Sequence, residues 1–152
     1  MDKTETIDNT FTIGNVDITL EETENLDLKM VPGAPITKDP KVSVVAGSEA
    51  CWLFVKIEES TNLDDFITYT VDSAWTHLEE GVYYIKVDTA GSTYSVLTGD
   101  KVTVNNTVTK AMMDEIKQGT ATAPKLSFTA YAIQQTGFAD AATAWATAKT
   151  AT

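Results

Sequence analysis

Apolar and polar residues alternate along most of this 152-residue chain, and a period of two places successive side chains on opposite faces of a strand. Phe11, Ile13, Val16, Ile18 and Leu20 recur through the first long segment. Gly14-Asn15 shifts the phase there, which predicts a bulge or bend where the side chains change face. Leu26, Leu28 and Met30 alternate up to Pro32-Gly33, a type II turn signal. A strand over about 36–45 carries Pro40, which predicts an edge or a bulge because proline has no ladder donor. Residues 50–57 read as a covered central strand, with Leu53, Val55 and Ile57 on one face and Trp52, Phe54 and Lys56 on the other.

Past a polar loop over 58–65, shorter strands are expected at 66–71 and 74–78. Glu79-Glu80-Gly81 then turns the chain into 82–88, with Tyr83, Ile85 and Val87 opposite Tyr84 and Lys86. A further strand is expected over 102–108, and one through Leu126, Phe128 and Ala130. The period changes twice. Met112, Met113 and Ile116 have helical spacing over about 110–118, with Thr109 as N-cap and Gly119 as stop. Phe138, Ala141, Ala142, Trp145 and Ala148 form a stripe over about 138–149, an amphipathic helix. The expected fold is mainly β, an antiparallel jelly roll or β-sandwich with these two short helices. No repeat or long linker divides the chain, so residues 1–152 read as one domain, as chains split only beyond roughly 250 residues.

Charge narrows the partners. Twenty-two acids against eleven lysines give a net charge of −11, which argues against nucleic acid and anionic membrane, both of which call for a basic stripe. Without arginine the bidentate clamp for phosphate is missing as well. Cys51, before Trp-Leu-Phe-Val, reads as a small buried apolar residue. The longest apolar run, Ala50–Val55, is far short of the roughly 18 residues of a membrane span. The first twelve residues are too polar for a signal peptide, whereas the 25 threonines and sparse lysines resemble secreted surface proteins.

Catalytic groupings are hard to find. His77 is the lone histidine, and neither H-E-x-x-H nor G-x-S-x-G occurs. The acids at Glu21-Glu22, Glu58-Glu59, Asp64-Asp65 and Glu79-Glu80 are adjacent pairs, which a strand sends to opposite faces. The Asn62–Asp65 loop offers oxygens without the spacing of a calcium loop. Asn105-Asn106-Thr107 matches a glycosylation sequon. Trp52, Trp75, Tyr83, Tyr84, Tyr94, Tyr131 and Trp145 are candidates for a sugar-stacking platform, although strand neighbours favour a core role. The expectation is a protein that is not an enzyme, with no metal site and no cofactor.

The order of segments resembles the camelysin/TasA family of secreted Gram-positive proteins. Asn9-Thr10-Phe11-Thr12-Ile13-Gly14-Asn15-Val16-Asp17-Ile18 is similar to the T-F-x-x-G-x-[VL]-D-[IL] strand that follows the signal peptide in that family. Met30-Val31-Pro32-Gly33 and Ile36-Thr37-Lys38-Asp39-Pro40 resemble its L-x-P-G and T-K-D segments. Trp75 with Glu80-Gly81-Val82-Tyr83-Tyr84 resembles its W…(D/E)-G-x-Y-Y hairpin, and Ala130–Gln134, Gly137-Phe138 and Ala144-Trp145 its C-terminal strand and helix. At the start Met1-Asp2-Lys3 stands where the family has a small-aromatic stretch such as A-Y-F.

The resemblance implies a jelly roll secreted to the cell surface or matrix, polymerising head to tail into biofilm filaments by N-terminal strand donation. Its partner would be another copy of itself, with other matrix proteins as further candidates. Residues 1–12 would hold the exchanged donor strand, with Thr4, Ile7, Thr10 and Phe11 as its donor residues and Ile7 and Phe11 as apolar plugs. The alternative is a monomeric surface module that binds glycan or a host protein through exposed tyrosines and tryptophans.

Overall fold

The computed structural model describes residues 5–6, 9–23 and 30–151. In chain order the strands are β1 (Glu5–Thr6), β2 (Thr10–Ile13), β3 (Ile18–Glu22), β4 (Pro35–Thr37), β5 (Lys41–Val44) and β6 (Cys51–Glu59). There follow β7 (Ile67–Thr68), β8 (Thr76–Glu79), β9 (Val82–Val87), β10 (Thr93–Ser95), β11 (Lys101–Val104) and β12 (Leu126–Gln134). Helix α1 (Lys110–Lys117) precedes β12 and α2 (Ala141–Ala148) follows it. Among the described residues the strands form three sheets, in the orders β1-β3-β5-β10, β4-β11-β7 and β2-β12-β6-β9-β8. The pairings are antiparallel except that of β2 with β12.

Alternation explains the layers. The inward residues of the five-stranded sheet, Leu53, Val55, Ile57, Val87, Phe128, Ala130 and Ala132, share one buried cluster with Ile18, Leu20, Val42 and Val44 of the four-stranded sheet. Ile67, Val102 and Val104 of the third sheet complete it. This is the core of a β-sandwich, in which each fully buried Leu, Val or Phe contributes roughly 1.5–3 kcal/mol. The other face of the five-stranded sheet is apolar too. Trp52, Phe54 and Ile133 form a second cluster with Ala141, Ala144, Trp145 and Ala148 of α2. The alanines let the helix lie close to the sheet, and Asp140 caps it by accepting a hydrogen bond from the Thr143 amide at 2.8 Å. Helix α1 starts at the expected cap, Thr109, whose hydroxyl accepts from the Met112 amide at 3.2 Å. Its Met112, Met113 and Ile116 rest, partly buried, on the main core.

Several boundaries differ from the sequence reading. The expected strand over 36–45 is two strands in different sheets, β4 and β5, and Pro40 lies buried where the chain changes sheet. Crossing with it is Lys38, whose ammonium is buried 3.1 Å from Glu22 and 5.7 Å above the Phe128 ring. Gly14-Asn15 is the expected bend, carrying the chain from the five-stranded sheet to the four-stranded one. The strand expected over 66–71 shrinks to β7, because Leu63–Asp65 winds into a 3-10 turn and Val71 makes only an isolated bridge to Leu97. The strand expected over 102–108 ends at Val104, with a turn at Asn106-Thr107. Of the alternation expected at Leu26, Leu28 and Met30, the first two positions lie outside the described residues; Met30 is buried in the core.

Candidate functional site

Among the described residues the edge of the five-stranded sheet is formed by β2, which has a single neighbour there, β12. The two run parallel, with Thr10, Phe11, Thr12 and Ile13 beside Ala130, Tyr131, Ala132 and Ile133. Asn9 extends this hold: its carbonyl accepts from the Ala130 amide at 2.8 Å and its side-chain amide donates to the Phe128 carbonyl at 3.1 Å. Period two then sends Phe11 and Ile13 to the outer face. Ile13 packs against the outer cluster, and the Phe11 ring stacks on Tyr131 with centroids 5.4 Å apart. Tyr131 meets Trp145 of α2 edge-on at 4.9 Å, and Trp145 leans on Phe54 at 5.1 Å. A line of rings therefore runs from the N-terminal strand to the C-terminal helix. Trp145 is buried and, among the described residues, its Nε1 has no hydrogen-bond partner, a cost of the order of 1–3 kcal/mol carried by the helix seat.

Gly14 ends β2 with φ +90, a backbone conformation glycine tolerates. A Cβ there would stand 1.8 Å from the Gln134 side-chain oxygen at the end of β12. The strand is thus followed at once by a joint that only glycine fills without strain.

Of the donor residues expected from the sequence, Thr10 and Phe11 are in β2 and pair within their own chain, while Thr4 and Ile7 lie outside the described residues. The sequence reading missed the seat itself: Asn9, Tyr131 and Trp145. Tyr131 and Trp145 stood out as aromatics, yet no local pattern shows that residues more than a hundred positions apart share an edge.

A second concavity lies at the end of β6. A cleft of about 520 Å³ is lined by Glu59, Asp64, Ile67, Tyr69, Val71 and Tyr83 among others, and adjoins one of about 370 Å³ that reaches Glu80 and Gly81. The Tyr69 hydroxyl donates a short hydrogen bond to Glu59. Burial first, then that carboxylate, raises the phenol well above its ordinary range, so Tyr69 stays a donor. His77 is exposed and touches the Tyr83 ring edge-on at 5.2 Å. Among the described residues no three His, Cys, Asp or Glu side chains are grouped to hold a metal ion, and Asp64 and Asp65 sit in the 3-10 turn.

Other residues singled out by sequence are engaged within the chain. Trp75 is buried, with its indole donating to the Ser95 carbonyl at 3.0 Å. Asn105 of the sequon donates through its side-chain amide to the Asp64 carbonyl at 2.7 Å. Cys51 is fully buried, and burial pushes its thiol up to about 11. Among the described residues no helix is long and apolar enough to cross a membrane. No protein-family model, no curated protein and no solved structure matches the chain.

Proposed function

We propose that this chain is a secreted, non-catalytic structural subunit of an extracellular surface or biofilm-matrix filament, built by passing the N-terminal strand from one copy to the next. The observation that carries the reading is the place of β2, among the described residues an edge strand with one neighbour in the sheet, followed by a glycine joint. Withdrawing it about that joint breaks its ladder with β12 and, because β1 lies upstream, the two-residue β1–β3 ladder, and leaves the sandwich core intact. The vacated β12 edge then presents unpaired backbone groups, and the same strand of a second copy satisfies them in the same register. Strand passing of this kind is head to tail and does not close, so it yields filaments. The motif order that resembles the camelysin/TasA family points the same way.

Electron microscopy and sedimentation of concentrated protein test the proposal. Filaments are expected, and Phe11→Asp should abolish them while leaving a folded body with its strand undocked. A carboxylate cannot replace the ring on Tyr131 of its own chain or of a second copy, so the open monomer is then favoured over both docked forms. Monomers alone at every concentration would overturn the reading.

The Tyr69–Tyr83 cleft favours a second reading, a monomeric module that binds glycan. Two phenol rings, a carboxylate and threonine hydroxyls are the groups that stack on and hydrogen-bond a sugar. A glycan array with Tyr83→Ala as control separates the two readings: sugar binding that this change abolishes, in a protein without filaments, favours the module.

A further inference from the structure

We infer that Tyr131 and Trp145 together form the receiving surface for residue 11 of an incoming strand from a second copy of this chain, and that helix α2 thereby sets the rate at which strands exchange. The inference rests on the strand-passing reading above. Its own ground is the ring series on the outer face: Phe11 on Tyr131 at 5.4 Å, Tyr131 on Trp145 at 4.9 Å, Trp145 on Phe54 at 5.1 Å. Ile13 packs against the same cluster of Trp52, Phe54, Ile133 and α2. The backbone ladder of β12 would accept any extended segment, since main-chain groups carry no side-chain identity. The rings and the Ile13 seat distinguish this strand from others.

Exchange adds a physical constraint. A strand passed between identical copies makes the same contacts in its new place as in its old one. The ring contacts therefore cancel in the equilibrium between closed monomer and filament, which is left to the Gly14 joint and to concentration. They do not cancel in the rate, because the strand must leave Tyr131 before it can be donated. Weakening the receiving surface should accelerate opening, and it should also make finished filaments easier to take apart.

Hydrogen exchange on the monomer at the Phe11 and Ile13 amides, which face β12 in this register, reads the opening directly. Tyr131→Ala, which removes the middle ring, should speed exchange at these amides about tenfold, with core amides such as Leu53 and Val55 unchanged. Phe11→Ala alters no buried residue and should give the same increase, which guards against a variant that folds poorly. Mixing the two variants tests reception in trans. In each variant alone the Phe11–Tyr131 contact is missing, but Phe11 of the Tyr131→Ala chain can reach Tyr131 of the Phe11→Ala chain. Junctions between unlike chains, scored by mass after cross-linking, should exceed the statistical share.

Wild-type filaments with unchanged exchange at Phe11 and Ile13 in both variants, or a statistical mixture of junctions, overturn the receiving surface alone. Wild-type protein that never forms filaments overturns strand passing and the receiving surface with it.

Discussion

Lys38 and Glu22 bring two charges into the interior, 3.1 Å apart, with Lys38 also over the Phe128 ring. Removing one member of a buried pair costs more than the pair contributes, because the other charge keeps its desolvation penalty. Lys38→Met, which takes the ammonium from Glu22, should lower stability by about 1.5–3 kcal/mol, seen as a fall of roughly 5–10 °C in calorimetric Tm for a domain of this size; an unchanged Tm would mean the pair is not buried in solution. Cys51 has a different signature. Burial raises its thiol from 9.0 to about 11, so the unfolded chain ionises first and the folded state prefers the neutral thiol. Its contribution is whole below pH about 9 and is lost as pH climbs towards about 11. Urea midpoints of wild type and Cys51→Val should diverge only over that window, wild type losing more stability. Asp39 behaves oppositely. Although burial opposes its ionisation, the hydroxyl and amide of Thr23 outweigh this and hold the carboxyl below its ordinary 3.8. It adds stability above that value, which is lost as pH falls through its lowered one.

Elements show which patterns a sequence can carry. The sandwich faces were legible because Leu53, Val55 and Ile57 alternate with Trp52, Phe54 and Lys56 without interruption. The break between β4 and β5 was hidden for the same reason: Ile36, Lys38, Pro40, Val42 and Val44 keep one phase across the change of sheet. Inward phase also explains why a lysine is buried there. The helix at Lys110 was legible to its cap, since capping is local; Thr109→Ala should cost about 1 kcal/mol, measured as a lower urea midpoint. Thr10 and Phe11 were legible as donor-strand candidates only through the family likeness. Their parallel register on β12 joins residues at opposite ends of the sequence, and no turn chemistry announces such a pairing. At the joint after β2, Gly14→Ala combines the strain of φ +90 with a collision at Gln134. It should loosen β2 before the body, with exchange at the Phe11 and Ile13 amides rising while Leu53 and Val55 stay protected; uniform protection would show that the joint is relaxed.

At the scale of the molecule, the surplus of 22 acids over 11 lysines decides how copies approach one another. A net charge of −11 repels an identical copy at long range, which opposes lateral association and nonspecific edge pairing. A strand inserted on the β12 edge gains its stability from the ladder and from the packing of Phe11 and Ile13, neither of which needs opposite charges. Screening should then favour assembly, because it removes repulsion without weakening what holds the junction. The Debye length falls from about 30 Å at 0.01 M salt to about 3 Å at 1 M. The protein concentration at which filaments first appear should accordingly drop as sodium chloride is raised from 0.01 to 0.5 M, measured by sedimentation. An onset that rises with salt would point to junctions held by surface ion pairs, and would locate the contact away from β2.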